Sequence, residues 1–102
     1  MNPYESEILI IAGSRTLLSF ALNFLGKQGY RIDGAINYLD ALKKIEKRTF
    51  DLVIFGGEME NREKDYVENF TTELGRDVQF LHFSGPVEQL PARINHFLQN
   101  NK

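Results

Sequence analysis

The stretch 12–16, Ala-Gly-Ser-Arg-Thr, has the residue types of an anion-binding turn. It follows an apolar run and precedes a helical pattern, so its free backbone amides would lie at a helix N-terminus, where anions bind. Gly13 permits close approach to the backbone, and Ser14, Arg15 and Thr16 add two hydroxyl groups and a positive charge. The stretch has neither the glycine spacing of a dinucleotide site nor the lysine of a phosphate-binding loop. A capped tight turn without a ligand is the alternative interpretation.

A second candidate loop is the glycine pair Gly56-Gly57, which ends the apolar run 52–55. Ligands of open parallel sheets bind outside the carboxyl ends of the strands, so the residues at this point decide the function. The pair either lets a ligand approach the backbone or provides a turn that needs positive φ. Both interpretations are open at the level of the sequence.

The other ionisable side chains form no recognisable catalytic or metal-binding group. His82 and His96 lie on different predicted elements, and packing or surface exposure is their more common role. The acidic residues of 58–65 have no EF-hand register and are interrupted by two basic residues, which is typical of a solvated helix start. With no nucleophile–base pair either, the sequence predicts no enzyme, no catalytic residue, no metal and no cofactor.

Composition and charge restrict the class of protein. The 102 residues are 42% hydrophobic and 25% charged, which is enough for one core, and we predict a single domain over 1–102. The net charge of −2 provides no field that attracts nucleic acid or an anionic membrane. The apolar runs are too short for a membrane span, and the acidic start does not resemble a signal peptide. The absence of cysteine excludes disulfides and fits a reducing cytoplasm, so we expect a cytoplasmic protein with no nucleic-acid or membrane partner.

Hydrophobic periodicity predicts the elements that position these loops. Unbroken apolar runs are typical of strands buried on both faces, and weak alternation indicates an edge strand. The predicted strands lie at 8–12, 30–35, 50–55 and 78–83. Apolar residues at helical spacing predict a helix after the cap residue Asn37 and further helices at about 14–28, 61–74 and 88–98. The apolar stripe of the first helix includes Leu17 and Phe20.

The alternation of strands and helices predicts an α/β architecture. It is a three-layer sandwich with a four-stranded parallel sheet and helices on both faces, joined by right-handed crossovers. Ile10, Ile54 and Phe55 lie in the two central apolar runs, and we expect all three to be buried.

Several of these segments resemble the receiver domain of two-component response regulators. Residues 8–11 are similar to its first strand, 38–42 to its second helix with the usual alanine–leucine pair, and 90–98 to its final helix. Residues 50–55 read Phe-Asp-Leu-Val-Ile-Phe, where the third strand of the family has Asp-Leu-Val-Leu-Leu-Asp. The resemblance implies a flavodoxin/receiver-like fold with strand order 2-1-3-4.

The resemblance also implies an active site whose residues are replaced in this chain. Receivers bind magnesium with an acidic pair after the first strand, where Ala12 and Gly13 stand here. Gly56 stands in place of the aspartate that accepts the phosphoryl group. Ser84 matches the hydroxyl residue after the fourth strand, whereas Gly85 stands in place of the conserved lysine that precedes proline. One βα unit is also missing, so the resemblance implies a degenerate, pseudo-receiver module.

We therefore predict a non-catalytic protein–protein interaction module of bacterial signalling or regulation that is not phosphorylated. The fourth strand has no formal charge, and without a fifth strand it would be an uncovered edge, which invites a homodimer or a protein partner. Phe80, His82 and Phe97 are the predicted interface residues. A monomer whose last helix or tail shields this edge is a further possibility.

The alternative function is a small-ligand or nucleotide-binding α/β domain. It would use the two loops at Gly13-Ser14 and Gly56-Gly57, which both follow buried strands.

Overall fold

A parallel β-sheet forms the centre of the computed structural model, which describes residues 2–100. Its strands are β1 (Glu7–Ile11), β2 (Arg31–Ala35), β3 (Leu52–Phe55) and β4 (Gln79–His82). They lie in the order β2-β1-β3-β4, and all three pairings are parallel. In the register, Ile10 lies between Gly34 of β2 and Ile54 of β3. The predicted strand order is confirmed.

Four helices follow the strands, and local caps set where they begin. They are α1 (Arg15–Lys27), α2 (Tyr38–Lys47), α3 (Asn61–Glu73) and α4 (Leu90–Asn100). The Ser14 side chain accepts a hydrogen bond from the backbone N–H of Leu17 at 3.3 Å, and Asn37 accepts one from that of Asp40 at 2.8 Å. Pro91 lies in the first turn of α4, where its missing N–H has no helical partner to lose. These caps and the position of the proline agree with the prediction.

The helices cover both faces of the sheet, as predicted, and each face has its own apolar core. On one face, Leu25 of α1 and Ile94 of α4 pack with Ile54. On the other face, Val67 of α3 packs with Phe55, together with residues of α2. Successive residues of a strand point to opposite faces, so Ile54 and Phe55 belong to different cores. The predicted burial of Ile10, Ile54 and Phe55 is confirmed.

The predicted apolar stripe of α1 is not buried at two of its positions. Leu17 and Phe20 are 54% and 51% exposed, although their spacing suits a buried face. Both lie in the first half of α1. Within residues 2–100, none of the helices combines the length and the apolar character needed to span a membrane.

Candidate functional site

The loops after β1 and β3 lie side by side at the carboxyl edge of the sheet. The backbone N–H of Gly56 donates to the carbonyl oxygen of Ile11 at 2.9 Å, and that of Ala12 donates to the carbonyl oxygen of Ala35 at 3.0 Å. The structure therefore brings together Ala12, Gly56 and their neighbours, which the sequence assigned to one site.

Close packing explains the glycine pair. Neither glycine is among the positive-φ residues of the described chain, which are Gly29, Gly75 and Gly85, so the interpretation as a positive-φ turn is wrong. A Cβ atom on Gly56 would lie 2.9 Å from the Ile11 carbonyl oxygen, which is too close without a backbone shift. A Cβ atom on Gly57 would lie 3.1 Å from the Ser84 hydroxyl oxygen. The loop after β3 is thus packed against β1 and against Ser84, two residues after β4.

Glu58 is a site residue that the sequence interpretation missed. The acidic stretch 58–65 is typical of a solvated helix start, and α3 begins at Asn61 as predicted, so Glu58 lies in the loop before the helix. Its Oε2 atom lies 3.3 Å from the point where a Gly13 Cβ would stand. Its position three residues after the end of an apolar strand was the available signal.

The residues at this edge do not fit a magnesium site. Magnesium takes oxygen ligands in nearly octahedral geometry, usually through one or two carboxylates. Ala12, Gly13 and Gly56 have no side-chain oxygen, and Glu58 provides a single carboxylate beside them. Within residues 2–100, no three His, Asp or Glu side chains are grouped so that they could hold a metal ion.

The possible anion loop uses one of its groups for capping. The Ser14 hydroxyl accepts from the first turn of α1, while Arg15 and Thr16 are exposed on that turn. The Glu58 carboxylate beside Gly13 places a negative charge next to the loop, which repels an anion. An anion site at Gly13, Ser14, Arg15 and Thr16 stays a prediction.

A cavity of about 580 Å³ opens at the same edge, between α1 and the connection from β4 to α4. The half-exposed side chains of Leu17 and Phe20 form one wall, and Val87 lies in the lining of the other. Gly56 and Gly57 also line it, but Gly13 and Ser14 do not. Both glycines of the second predicted loop therefore line the cavity, whereas the stretch 12–16 contributes only Ala12 and Thr16.

The predicted interface residues lie on two faces of the sheet. The Phe80 ring stacks on Phe55 with centroids 5.7 Å apart, and the His82 ring lies 5.1 Å from the same ring. The Nε2 atom of His82 lies 3.9 Å from the Glu68 carboxylate of α3. Phe97 packs against the opposite core, with α1 and α4. Phe80 and His82 thus form one surface, and Phe97 belongs to another.

The arrangement of strands and helices is similar to that of solved receiver-domain structures. The chain aligns over 92% of its length with 90% of a signal receiver domain from Vibrio parahaemolyticus, at a TM-score of 0.73 and 14% identity. It has the CheY-like receiver fold. A Francisella response regulator receiver domain aligns with a TM-score of 0.65 and 14% identity, over 96% of this chain and all of that one (100%). The chain matches no protein-family model and no curated protein sequence.

A third neighbour with the receiver fold is the response regulator TrrA of Thermotoga maritima, solved in complex with Mg²⁺ and BeF. It aligns with a TM-score of 0.65 and 19% identity, over 89% of this chain and 97% of that one. At these identities the likeness defines the fold, while the chemistry depends on the residues of this chain.

Proposed function

We propose that this protein is a receiver-like protein–protein interaction module of bacterial signalling or regulation that neither catalyses a reaction nor accepts a phosphoryl group. In this proposal residues 1–102 form one cytoplasmic domain that acts as a homodimer or binds a protein partner, and binds neither nucleic acid nor membrane. The observation that carries the proposal is the outer edge of β4, which pairs with no other strand within residues 2–100.

The backbone of β4 supports self-association. Gln79 and Phe83 direct their N–H groups to β3, at 3.1 and 3.0 Å from the carbonyl oxygens of Asp51 and Phe55. Backbone groups alternate in direction along a strand, so those of Phe80 and His82 point outward. The strand has no formal charge that would discourage pairing.

We expect a second copy to pair with this edge about a twofold axis at Leu81. In an antiparallel arrangement, Phe80 of one copy would exchange two backbone hydrogen bonds with His82 of the other, and the axis would repeat the pair. Such pairing would join two four-stranded sheets into one. The helices α3 and α4 flank the same boundary and would complete the interface.

Sedimentation velocity tests this interface directly. The parent protein should be a dimer at high micromolar concentration, and His82→Lys should shift it toward the monomer because an edge lysine opposes strand pairing. The matched control is Leu39→Lys, which adds the same charge at an exposed position of α2 and should stay dimeric. A parent that is monomeric at high micromolar concentration and needs no partner to stay in solution would defeat the homodimer.

The residues after β1 and β3 support the absence of phosphoryl transfer. That reaction needs a carboxylate nucleophile and a divalent cation held by oxygen ligands. Gly56 stands where the resemblance expects the nucleophile, and the carbonyl oxygen of Ile11 leaves no room there for a Cβ atom. Ala12 and Gly13 have no carboxylate for the cation.

A phosphodonor experiment tests this second part. Incubation with acetyl phosphate and magnesium should leave the intact mass unchanged, and Gly56→Asp should not restore transfer because the cation still lacks its ligands. The variant should also be less stable, by about 1–3 kcal/mol, since its Cβ atom meets backbone. Detection of an acyl-phosphate adduct on the parent would overturn the assignment of Gly56.

The alternative function, small-ligand or nucleotide binding, has one specific observation in its favour. The cavity of about 580 Å³ is lined by Gly56 and Gly57 at the carboxyl edge of the sheet. Its volume lies within the range of about 300–1,000 Å³ that is common for small-molecule sites. The two functions use different surfaces, so one chain can have both.

A further inference from the structure

We propose that the cavity beside α1 binds a small apolar molecule with a positive charge, such as an aromatic amine. The proposal deepens the ligand-binding alternative and rests on it, and it is independent of association through β4. It assigns the chemical class of the ligand and excludes nucleotides and phosphates.

The floor and one wall of the cavity are apolar, which favours a ligand with an apolar part. Ile10 and Leu90 form the floor and are buried members of the core between the sheet, α1 and α4. Leu17 and Phe20 form the wall, and more than half of each side chain is in contact with water (54% and 51%). Large apolar side chains side by side at the mouth of a cavity are typical of a ligand site. A planar or branched apolar group would cover them.

The glycine residues at the edge of the sheet keep the cavity open. Gly56 and Gly57 line it where β3 ends, and Gly85 lines it after β4. A larger residue cannot easily replace Gly56 or Gly85, because the first is crowded by the Ile11 carbonyl oxygen and the second has a φ of 141°. The opening is thus part of the backbone geometry.

The charge of the ligand follows from the ionisable groups of the lining. Among the described residues that line the cavity, Glu58 and Glu88 are acidic and none is Lys, Arg or His. Glu58 comes from the loop after β3, and Glu88 comes from the 3-10 turn Val87–Gln89 on the other side. Carboxylates on two sides attract a cation and repel an anion. The hydroxyl groups of Thr16 and Ser84 add hydrogen-bond partners for an ammonium group.

Three probes with the same ring and different charges test the ligand class. Tryptamine is cationic, indole is neutral and indole-3-acetate is anionic at neutral pH. We expect tryptamine to bind at millimolar concentration or below and to shift the amide resonances of Leu17, Phe20 and Val87 in NMR titrations. Its dissociation constant should be lower than that of indole-3-acetate by roughly fivefold or more, since two exposed carboxylates each contribute modestly.

Variants at exposed positions locate the site and leave the core intact. Leu17→Lys should weaken tryptamine binding by about tenfold or more, because it removes an apolar wall and adds a repelling charge. Leu39→Lys is the matched control, since Leu39 is 56% exposed on the opposite face and lies outside the cavity, and it should bind like the parent. The double variant Glu58→Gln, Glu88→Gln should weaken tryptamine binding several-fold and leave indole binding unchanged.

Three results would overturn the proposal: no tryptamine shift at millimolar concentration, shifts that lie away from the cavity, or equal affinities for the cation and the anion. If indole binds at the cavity without any preference for charge, ligand binding stands and the assigned class is wrong. If no probe binds there, ligand binding itself is wrong, whereas the sedimentation result for β4 is unaffected.

Discussion

The two edges of the sheet differ in whether side chains occupy their outward backbone groups. At β2, the outward backbone groups of Gly34 are satisfied by side chains, because its N–H donates to Asp33 at 2.7 Å and its carbonyl oxygen accepts from Lys44. Asp33 also pairs with Arg48 at 2.9 Å. At β4, the outward groups belong to Phe80 and His82, in a strand without formal charge. At the β2 edge, side chains of the same chain occupy the outward groups of Gly34, whereas the β4 edge pairs with no other strand within residues 2–100.

This difference shows what the ion pairs at β2 do. They join side chains that are about one third exposed or more, and pairs of this kind contribute little to stability, about 0–1 kcal/mol each. Together with the hydrogen bonds to Gly34, they occupy backbone groups of this edge strand and surround them with charge, which discourages pairing with another chain. The proposed dimer would therefore form through β4 alone, as a closed pair about a twofold axis.

The largest effect is expected from a substitution in the central strand β3, because both edges of the sheet depend on it. Ile54 of β3 is 0% exposed and lies between Ile10 of β1 and Leu81 of β4. Ile54→Ala should lower the free energy of unfolding by about 2–5 kcal/mol, out of a total of about 5–15 kcal/mol. Urea denaturation measures the loss of unfolding free energy, and thermal denaturation measures the change in melting temperature. If the variant melts within a degree or two of the parent, β3 is not the central strand.

A smaller effect is expected from opening the closed edge. Asp33→Ala removes the acceptor of the Gly34 N–H and the partner of Lys44 and Arg48, so it should destabilise the protein by about 1 kcal/mol. In the His82→Lys background it should also restore association, now through β2. Sedimentation and urea denaturation provide the two readouts.

The control for Asp33→Ala is Asp65→Ala, at an exposed acidic position of α3. This control variant should change the free energy of unfolding by no more than about 0.5 kcal/mol. If the doubly substituted protein stays monomeric, the ion pairs at β2 do not act as an edge shield.

The smallest expected effect depends on pH and involves the contact between α4 and the residue before β2. Tyr30, just before β2, donates from its hydroxyl group to Asn95 of α4 at 2.7 Å. Burial, with a contribution from Tyr4, raises the pKa of Tyr30 to about 12. The neutral form is therefore favoured in the folded state, and its contribution to stability is complete below the usual pKa of about 10 and is lost as the pH rises toward 12.

Comparison with Tyr30→Phe isolates this titration from that of the other groups. At neutral pH the variant should be less stable than the parent, since it lacks the hydrogen bond to Asn95. Above about pH 10 the difference in stability between the two proteins should become smaller, because only the parent has a hydroxyl group at residue 30 that can ionise. Thermal unfolding of both proteins across this range measures the gap, and a gap that stays constant would contradict the raised pKa.

Local patterns predicted most of the fold. The caps at Ser14 and Asn37 depend on hydrogen bonds to residues three positions ahead, which neighbouring sequence controls. The unbroken run at 52–55 predicted a strand buried on both faces, and alternating strands and helices predicted the parallel sheet. Because these features act over a few residues or recur along the chain, the sequence by itself determined the elements, their order and the core residues Ile10, Ile54 and Phe55.

Only the tertiary structure decided which distant residues meet at the edges of the sheet. Gly56 contacts Ile11, Glu58 lies beside Gly13, and these pairs are separated by 45 residues along the chain. The exposure of Leu17 and Phe20 likewise depends on which turns of α1 the rest of the chain covers, since helical spacing is the same for a covered and an uncovered turn. Contacts of this kind follow from the register of strands and the positions of helices, which no local pattern specifies. The cavity and the open edge of β4 are therefore properties of the assembled fold.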